Sequence, residues 1–528
     1  MRLRWFGVLS RMCSIVITVS VVGCNAILGL DDLSTSTSAV DGSSPETAAE
    51  CATNMDCNAD AGSDGNGSAI CKKPEGRCVP LLSPDCRTIT GDYKDDRSIV
   101  IGSMFSLTGA QAGTNLPRQN SAALAVEEIN KAGGVPRGTT SADARPLLLV
   151  SCDESMDLVR AGKHLVDDLG VQAIVGPNTS QDVLDLSNKL TIDKGVLSMT
   201  PSGLASSIAD LLDNNLTWQM VPNDVQRGPI MIQQINALET ALKHERGVDR
   251  IKLAVVFRDD ALGVGTRVSL NSLVLNGKPL IDPVNLGTNV RIDPYDYSQI
   301  DQKGLIEQYM SFLPDIVVLA GTADIVPNVL NPIEQRWPAD KPRPIYLTID
   351  PVKSAELLNA AASNDDLRRR IRGTGTTPSA RSKATYDAFR VSYELRYPGN
   401  QANGSGLGPS YDAVYAMAFA MAATRDKPIT GQNLVQGLAR LSGGTADIEV
   451  QSTQVLAGFQ RLVAGQSINA IGTFGPLSWG ATGAVIGGTL EVWCIGVTAG
   501  KAGYQSSGLT LDLANPSRTS GEYTPCPP

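Results

Sequence analysis

Short apolar runs alternate with helically periodic segments along most of this sequence. The first apolar run, 98–105, is rich in β-branched residues and predicts a buried strand. A turn-rich loop at 106–115 follows, and the apolar positions of the next segment, before Gly133-Gly134, then recur at helical spacing: Ala122, Ala125, Val126 and Ile129. A strand, a polar loop and a helix open an α/β sheet, whose ligands bind at the carboxyl ends of the strands. A βα unit with an ordinary surface loop is the alternative.

The same alternation recurs further along the chain, so the sequence predicts parallel sheets with right-handed crossovers. The later predicted strands are 146–151, 171–175, 195–199, 251–257, 315–320 and 345–349. With 528 residues, 42% of them hydrophobic, the chain is long enough for two or more lobes of ordinary domain size.

Charge and composition exclude several classes of function. The net charge of −9 argues against nucleic acid or an anionic membrane surface as a partner. The two histidines, His164 and His244, lie in polar helical contexts, where we expect solvated faces rather than catalysis. The sequence has no Gly-x-Ser-x-Gly elbow, no P-loop and no complete Gly-x-Gly-x-x-Gly after a strand. We therefore expect no enzyme, and no cofactor.

The N-terminus has the features of an export signal. Three arginines precede a short apolar run at 15–22, which is too short to span a bilayer. The run ends in Val-Val-Gly-Cys, which resembles a bacterial lipobox and predicts a signal peptide at 1–24 with lipidation of Cys24. A plain cleaved signal and an uncleaved short anchor are the alternatives. The polar segment 25–50 predicts a flexible tether, so we expect a protein of the cell envelope, held to a membrane only by its lipid.

A cysteine-rich segment at 51–92 predicts a disulfide framework. Its cysteines are Cys51, Cys57, Cys71, Cys78 and Cys86, and the remaining ones beyond Cys24 are Cys152, Cys494 and Cys526. These eight allow four bridges, and at least one bridge must leave the segment; the connectivity is open. Metal binding is the competing interpretation, but no Cys-x-x-Cys pair is present, so we expect no metal. The role of this segment is also open, with a spacer or stalk as one option.

Several motifs agree with one family. Gly102, Thr108-Gly109, Ile129-Asn130 and Gly133-Gly134 resemble the first βα unit of the type I periplasmic binding proteins, in the leucine/isoleucine/valine-binding branch. The matches continue in order through about 98–500. The resemblance implies an α/β fold of two lobes, each an open parallel sheet flanked by helices, here with an N-terminal disulfide-rich insert. It implies first-lobe parts at 93–222 and 374–470, second-lobe parts at 223–373 and 471–504, and a polar tail at 505–528.

The resemblance also implies a ligand site between the lobes. The first-lobe candidates are Thr108, Thr114, Thr179, Ser180 and Ser202, whose hydroxyls and neighbouring amides suit a carboxylate. Helix capping is the alternative for Ser180 and Ser202. The second-lobe candidates are Leu262, Thr322 and Asp350. Asp350 would pair with the ammonium group of an amino acid, and a turn-forming aspartate before proline is the alternative. Leu262 and Thr322 depart from the aromatic pattern of the family, so the fold transfers better than the amino-acid specificity.

Three functions remain open from the sequence. The first is an extracytoplasmic lipoprotein that captures a small, amino-acid-like ligand for an ABC permease. A ligand sensor with the same pocket is a variant of it. The second is an α/β enzyme, which the missing motifs disfavour. The third is an envelope lipoprotein with a decayed pocket. The sequence does not select the ligand or the membrane that carries the anchor.

Overall fold

The computed structural model of the protein describes residues 49–58, 67–138 and 143–527. The predicted signal peptide, Cys24 and most of the predicted tether lie outside these residues. Within them, no helix combines the length and the apolar character needed to cross a membrane.

The cysteine-rich segment forms a small hairpin that is fixed by disulfides and packed on the first lobe. Strands β1 (Ala69–Lys72) and β2 (Arg77–Pro80) pair antiparallel. The four bridges are Cys51–Cys71, Cys57–Cys78, Cys86–Cys152 and Cys494–Cys526. All eight cysteines are therefore paired, and one bridge leaves the segment as expected. The sulfurs of Cys51, Cys57 and Cys78 lie within 4.8 Å of one another, but all three belong to disulfides and are not free thiolates.

The hairpin is part of the first lobe's core rather than a free stalk. Ile70, Val79 and Leu81 are buried in one cluster with side chains of the first lobe. The Lys72 ammonium donates to the main-chain oxygen of Asp167 at 2.6 Å. His164, predicted on a solvated face, is instead buried, and its Nε2 lies 3.0 Å from the Leu81 oxygen. The prediction was wrong because the hairpin covers that helix face. His244 is exposed.

The first lobe is built on a six-stranded sheet. Its strands are β3 (Cys86–Thr90), β4 (Ile99–Phe105), β5 (Leu147–Asp153), β6 (Ala173–Val175), β7 (Leu197–Thr200) and β8 (Thr217–Gln219). Their order is β3-β5-β4-β6-β7-β8, and all neighbours are parallel except β3 and β5. The apolar runs of β5, β6 and β7 are buried on both faces because helices cover the sheet on both sides.

Four helices follow these strands in the first part of the lobe. They are α1 (Ala112–Lys131), α2 (Leu158–Lys163), α3 (Ser180–Leu186) and α4 (Ile192–Lys194). A π-helical turn, His164–Asp168, continues α2, and another, Ser187–Thr191, joins α3 to α4. The strand and helix alternation predicted for this lobe is therefore present.

The second lobe carries an eight-stranded sheet. Its strands are β9 (Leu253–Arg258), β12 (Val290–Tyr295), β13 (Ile316–Ala320), β14 (Ile345–Thr348), β15 (Ile371–Thr377), β18 (Thr489–Thr498), β19 (Lys501–Asp512) and β20 (Thr519–Ser520). The order is β12-β9-β13-β14-β15-β18-β19-β20, parallel up to β15 and antiparallel after it. A short hairpin, β10 (Val274–Leu275) and β11 (Lys278–Pro279), lies between β9 and β12 in the chain.

Six helices belong to the chain between β8 and β15. They are α5 (Asp224–Arg246), α6 (Ala261–Ser269), α7 (Lys303–Phe312), α8 (Asn331–Arg336), α9 (Ala355–Ala362) and α10 (Asp365–Arg370). Helix α5 begins in a complete capping box, in which Asn223 and Gln226 exchange side-chain and backbone hydrogen bonds.

The chain then returns to the first lobe. The elements there are α11 (Lys383–Arg396), α12 (Leu407–Thr424), α13 (Gly431–Leu438), β16 (Asp447–Glu449), α14 (Val455–Val463) and β17 (Asn469–Ile471). Helix α12 is buried along almost its whole length and packs on α1, where Glu128 accepts hydrogen bonds from the Tyr411 and Tyr415 hydroxyls at 2.5 and 2.7 Å.

In the described part of the chain, three segments pass between the lobes: 220–223, 378–382 and 472–488. The second crossing is predicted near Gly373, but Gly373 lies inside β15 and pairs with Trp493. In the third crossing, the Trp479 indole donates to the Gln219 oxygen at 2.9 Å and packs edge-on against Trp218. The third crossing thus bonds to the end of β8, and its Phe474 oxygen accepts from the Ser379 amide of the second crossing at 3.0 Å. The three crossings define the hinge between the lobes.

The C-terminal region differs from the expected polar tail. Strand β19 runs on to Asp512, and Leu509 and Leu511 are buried against Leu490. The tail prediction was wrong for this stretch because small and polar residues alternate with leucines whose side chains face the core. The Cys494–Cys526 bridge holds the final residues to β18.

Candidate functional site

A crevice between the lobes lies where strands of both sheets end. Its lining residues from the first lobe are Gln111, Thr114, Arg118, Asn178, Thr179, Ser180 and Ser202, and those from the second lobe are Arg258, Asp260, Leu262, Thr322 and Pro351. Six of the eight predicted binding residues are therefore brought together here, and Thr108 and Asp350 are the two that are not.

The first-lobe hydroxyls already make hydrogen bonds within the protein. Thr179 caps α3, accepting from the Asp182 amide at 3.1 Å. The Ser180 hydroxyl accepts from the Leu204 amide at 3.0 Å, which fixes the loop after β7. The Ser202 hydroxyl donates to Asn178 Oδ1 at 2.7 Å. The cap of α3 is therefore Thr179 rather than Ser180, and all three residues also line the crevice.

Thr108 is tied to its own lobe. Its hydroxyl donates to Asp153 Oδ2 at 2.7 Å and lies 2.8 Å from the Ser155 hydroxyl. The loop before α1 ends in a short 3₁₀ turn, Gly109–Gln111, and this turn brings Gln111 to the crevice in place of Thr108.

Asp350 is buried beneath the crevice instead of lining it. Its Oδ2 lies 3.2 Å from Nη1 of Arg227 and accepts from the Thr376 amide at 3.1 Å. The sequence predicts that Asp350 faces the ligand, but it is not among the residues that line the crevice, because its carboxylate pairs with Arg227 from the first turn of α5. The next residue, Pro351, reaches the crevice surface.

Arg118 is the main lining residue that sequence reasoning missed. It belongs to α1 and is 4% exposed. Its Nε donates to the Ser405 oxygen at 2.8 Å, and its Nη1 donates to Asn115 Oδ1 at 2.9 Å and to Asn178 Oδ1. Burial lowers the pKa of the Arg118 guanidinium to about 10, so it is charged at neutral pH. An arginine in the first turns of the helix that follows the first loop was the available signal.

The second lobe contributes an arginine that is neutralised locally. Arg258 Nε lies 2.8 Å from Asp260 Oδ2, and its Nη1 donates to the Thr322 hydroxyl at 2.8 Å. The guanidinium lies over the Tyr297 ring at 3.8 Å. Asp260 also caps α6. Gln111 Nε2 donates to the Thr322 hydroxyl at 3.4 Å, a contact that joins the two walls of the crevice.

Glu154 lies behind the first-lobe wall. Its Oε1 accepts from the Asn178 amide at 3.4 Å and from the Ser106 hydroxyl at 3.2 Å, while its buried Oε2 has no hydrogen-bond partner among the residues that the structure describes. Burial, together with the nearby Asp182 charge, raises the pKa of Glu154 to about 8. Glu154 is therefore mostly protonated at neutral pH.

This raised pKa predicts a pH-dependent stability. The pKa of Glu154 in the folded state lies above its value in the unfolded state. The native state therefore binds the extra proton, and the free energy of unfolding falls as the pH rises from about 4.5 to about 8. We expect Glu154→Gln to lose less stability across that window than the wild type, in urea denaturation at pH 5, 6.5 and 8. Because Asp224 and Asp412 also have pKa values raised to about 7 by burial, the slope should shrink rather than vanish. An unchanged slope in Glu154→Gln would contradict the assignment.

A second recess adjoins the crevice and shares Thr114 with it. Its other lining residues include Pro117, Ser405 and Leu407 from the first lobe and Lys353, Leu358 and Tyr504 from the second. The Lys353 ammonium lies 5.6 Å from the Tyr504 ring centroid. The two spaces meet at the first turn of α1, so a ligand of the crevice has room to extend beyond it.

Two lobes that meet at strand ends around a polar crevice define a class of two-lobed α/β binding proteins. The family model for periplasmic binding proteins matches residues 98–453, and the chain belongs to that family. The match confirms the family resemblance seen in the motifs and the predicted two-lobed fold. No match was found among curated proteins.

Solved structures of the same fold cover most of the chain. The leucine-binding protein LivK of Thermotoga maritima is 16% identical, with a TM-score of 0.55, over 77% of this chain and 97% of its own. The branched-chain amino acid transporter substrate-binding protein LivJ of Streptococcus pneumoniae, in complex with isoleucine, is 17% identical, with a TM-score of 0.54, over 78% and 99%. A solute-binding protein of an ABC transporter from Rhodopseudomonas palustris, in complex with 3,4-dihydroxybenzoic acid, is 15% identical, with a TM-score of 0.58, over 80% and 99%. At these identities the likeness shows the fold.

Proposed function

We propose that this protein is an extracytoplasmic solute-binding lipoprotein that captures a small ligand between its lobes for uptake by an ABC permease. The observation that supports this proposal most directly is the crevice, which is lined by polar residues from both lobes at the ends of their strands. Three hinge segments allow the lobes to close on a ligand. The family membership and the predicted export signal support this proposal, and no catalytic role is assigned.

The ligand class is a separate part of the proposal. The sequence favours an amino-acid-like ligand, and LivJ holds isoleucine. The Rhodopseudomonas protein, with the same fold, holds an aromatic acid. A carboxylate is common to both ligands, so we propose a small carboxylate-bearing solute and test amino acids as one group among several.

Ligand binding should appear as a stability increase. In a thermal-shift panel of amino acids, short peptides and small carboxylates, a ligand at a hundredfold excess over its Kd should stabilise the protein by about 2.7 kcal/mol. Thr114→Trp, which places an indole in the crevice from the first turn of α1, should abolish the shift. Ser311→Trp, on the exposed side of α7, is the matched control and should keep it.

The alternative function gives a different result. If no compound shifts the wild-type unfolding temperature, the protein is better described as an envelope lipoprotein with a decayed pocket. Mass spectrometry of the mature N-terminus tests the anchor separately: a diacylated Cys24 is expected, and an unmodified N-terminus would contradict lipidation.

A further inference from the structure

From the charges that line the crevice, we infer that the ligand is a small carboxylate without an ammonium group, and that Arg118 binds its carboxylate. This inference rests on the proposed function, because it names the ligand class of the same site. This ligand differs from the zwitterionic amino acid that the sequence predicts, whose ammonium group would pair with Asp350.

Arg118 has hydrogen-bond capacity left for a ligand. A guanidinium has five N–H bonds. Three of these are used within the protein, one on Nε and two on Nη1. Among the described residues, Nη2 has no hydrogen-bond partner, and Arg118 lines the crevice. The two N–H bonds of Nη2 are therefore available to a carboxylate oxygen in the crevice.

The charge of Arg118 is also without an ion-pair partner within the described part of the chain. Its three acceptors are neutral oxygens of Ser405, Asn115 and Asn178. Asp350 and Glu154 are the acids that act on its charge. Asp350 is already paired with Arg227. Glu154, as described above, is mostly protonated at neutral pH. A buried charge without a counter-ion is costly, and a ligand carboxylate would supply that counter-ion.

Among the described residues that line the crevice, no carboxylate is free for an ammonium group. Its lining has two arginines against one aspartate, so the lining charge is positive. That aspartate, Asp260, is in contact with Arg258 and accepts from the Gly263 amide. An amino acid with its carboxylate on Arg118 would therefore bury its ammonium group without a counter-ion, which costs binding free energy. Removing the amino group removes this cost.

The rival interpretation is that Arg118 acts only as a clamp between α1 and the Ser405 loop. A clamp explains the hydrogen bonds that Nε and Nη1 donate within the protein, but it does not predict that binding depends on the ligand's carboxylate. The two interpretations therefore differ in ligand preference, which is measurable on the wild-type protein without any substitution.

The test compares matched ligands by titration calorimetry on the mature protein. The pairs are 4-methylpentanoate with leucine, and 3-phenylpropanoate with phenylalanine; 4-methylpentanamide tests the need for a negative charge. We expect at least one acid to bind about tenfold or more tightly than its amino acid, since an unpaired buried charge costs more than one hydrogen bond. The amide should bind about tenfold or more weakly than the acid, since a hydrogen bond to a charged group is stronger than a neutral one.

Arg118 variants give the second readout. Arg118→Met should weaken binding of the acid by about 100-fold. Arg118→Lys should weaken it by less, because lysine keeps the positive charge but lacks the planar set of N–H donors. Arg145→Met is the matched control, because Arg145 is half-buried and lies before the start of β5, at the opposite edge of the sheet. It should change the affinity by less than about twofold. Circular dichroism and the unfolding temperature establish whether each variant is folded.

The outcomes separate this inference from the proposed function. Tighter binding of the amino acids, or equal binding of acid and amide, would overturn the inference and keep a solute-binding protein. Unchanged affinity in a folded Arg118→Met would overturn the role of Arg118. If the wild type binds none of these probes nor any compound of the wider panel, the proposed function fails and the inference fails with it.

Discussion

Arg227→Met is expected to destabilise the protein by about 3–5 kcal/mol, because it removes one partner of a buried ion pair. The Arg227 and Asp350 side chains are 2% and 6% exposed, and Nη1 lies 3.2 Å from Oδ2. Arg227 also donates from Nε to the Pro222 oxygen at 2.8 Å, in the first crossing. The substitution therefore leaves a buried carboxylate without its counter-ion and frees a hinge segment. Urea denaturation at pH 7 measures the loss.

A double-mutant cycle separates the ion pair from simple loss of packing. Arg227→Met with Asp350→Asn should recover much of the stability lost in Arg227→Met, because the amide carries no charge to leave unpaired. Arg336→Met, at an exposed arginine of α8, is the matched control and should cost less than about 0.5 kcal/mol. A loss in Arg227→Met that is no larger than in this control would contradict the structural role given to Asp350.

Removing the Cys86–Cys152 bridge, with both cysteines changed to Ala, should cost about 4 kcal/mol on chain-entropy grounds. The bridge closes 66 residues and fastens β3 to β5 at the edge of the first sheet. That edge strand carries the cysteine-rich hairpin, so its release should expose the apolar face formed by Ile70, Val79 and Leu81. Thermal and urea unfolding without reductant measure the loss, and limited proteolysis reports detachment of the hairpin.

The Cys57–Cys78 bridge provides a comparison within the same segment. It closes only 21 residues, so the same model gives about 3 kcal/mol for its removal. It also lies entirely within the cysteine-rich segment and does not join that segment to the lobe. We expect early proteolysis only after loss of Cys86–Cys152. A change of less than about 1 kcal/mol in the Cys86/Cys152 variant would contradict the role of this bridge in holding the segment to the lobe.

Much of the fold followed from the sequence because the strands of parallel sheets are continuous apolar runs. The predicted strand 98–105 is β4, Ile99–Phe105, and the predicted strand 315–320 is β13, Ile316–Ala320. The strands near the sheet edges were harder to predict from the sequence. Strand β3 is polar on its exposed side, and β19 alternates leucines with small residues. Such strands have no long apolar run, and only pairing with a neighbour identifies them.

The features of the candidate site likewise divide into those that the sequence predicts and those that it does not. Positions at the carboxyl ends of strands, such as Thr179, Ser202 and Thr322, were predictable because topology places every such loop at one edge of its sheet. Side-chain partners were not predictable in this way. Whether Asp350 faces a ligand or an arginine depends on Arg227, which lies 123 residues away in the chain.

The sequence by itself determined the alternation of strands and helices, the family, the loops that reach the crevice and the even set of cysteines. The alternation and the loops follow from local patterns of apolar and turn residues, and the family follows from the resemblance of its motifs. The tertiary structure alone decided which cysteines pair, that His164 is buried, that Asp350 is in contact with Arg227, and that Arg118 has no counter-ion in the described part of the chain. The physical reason is that the partner of a buried charge or of a cysteine is whichever group lies next to it in space, and these groups come from distant parts of the chain.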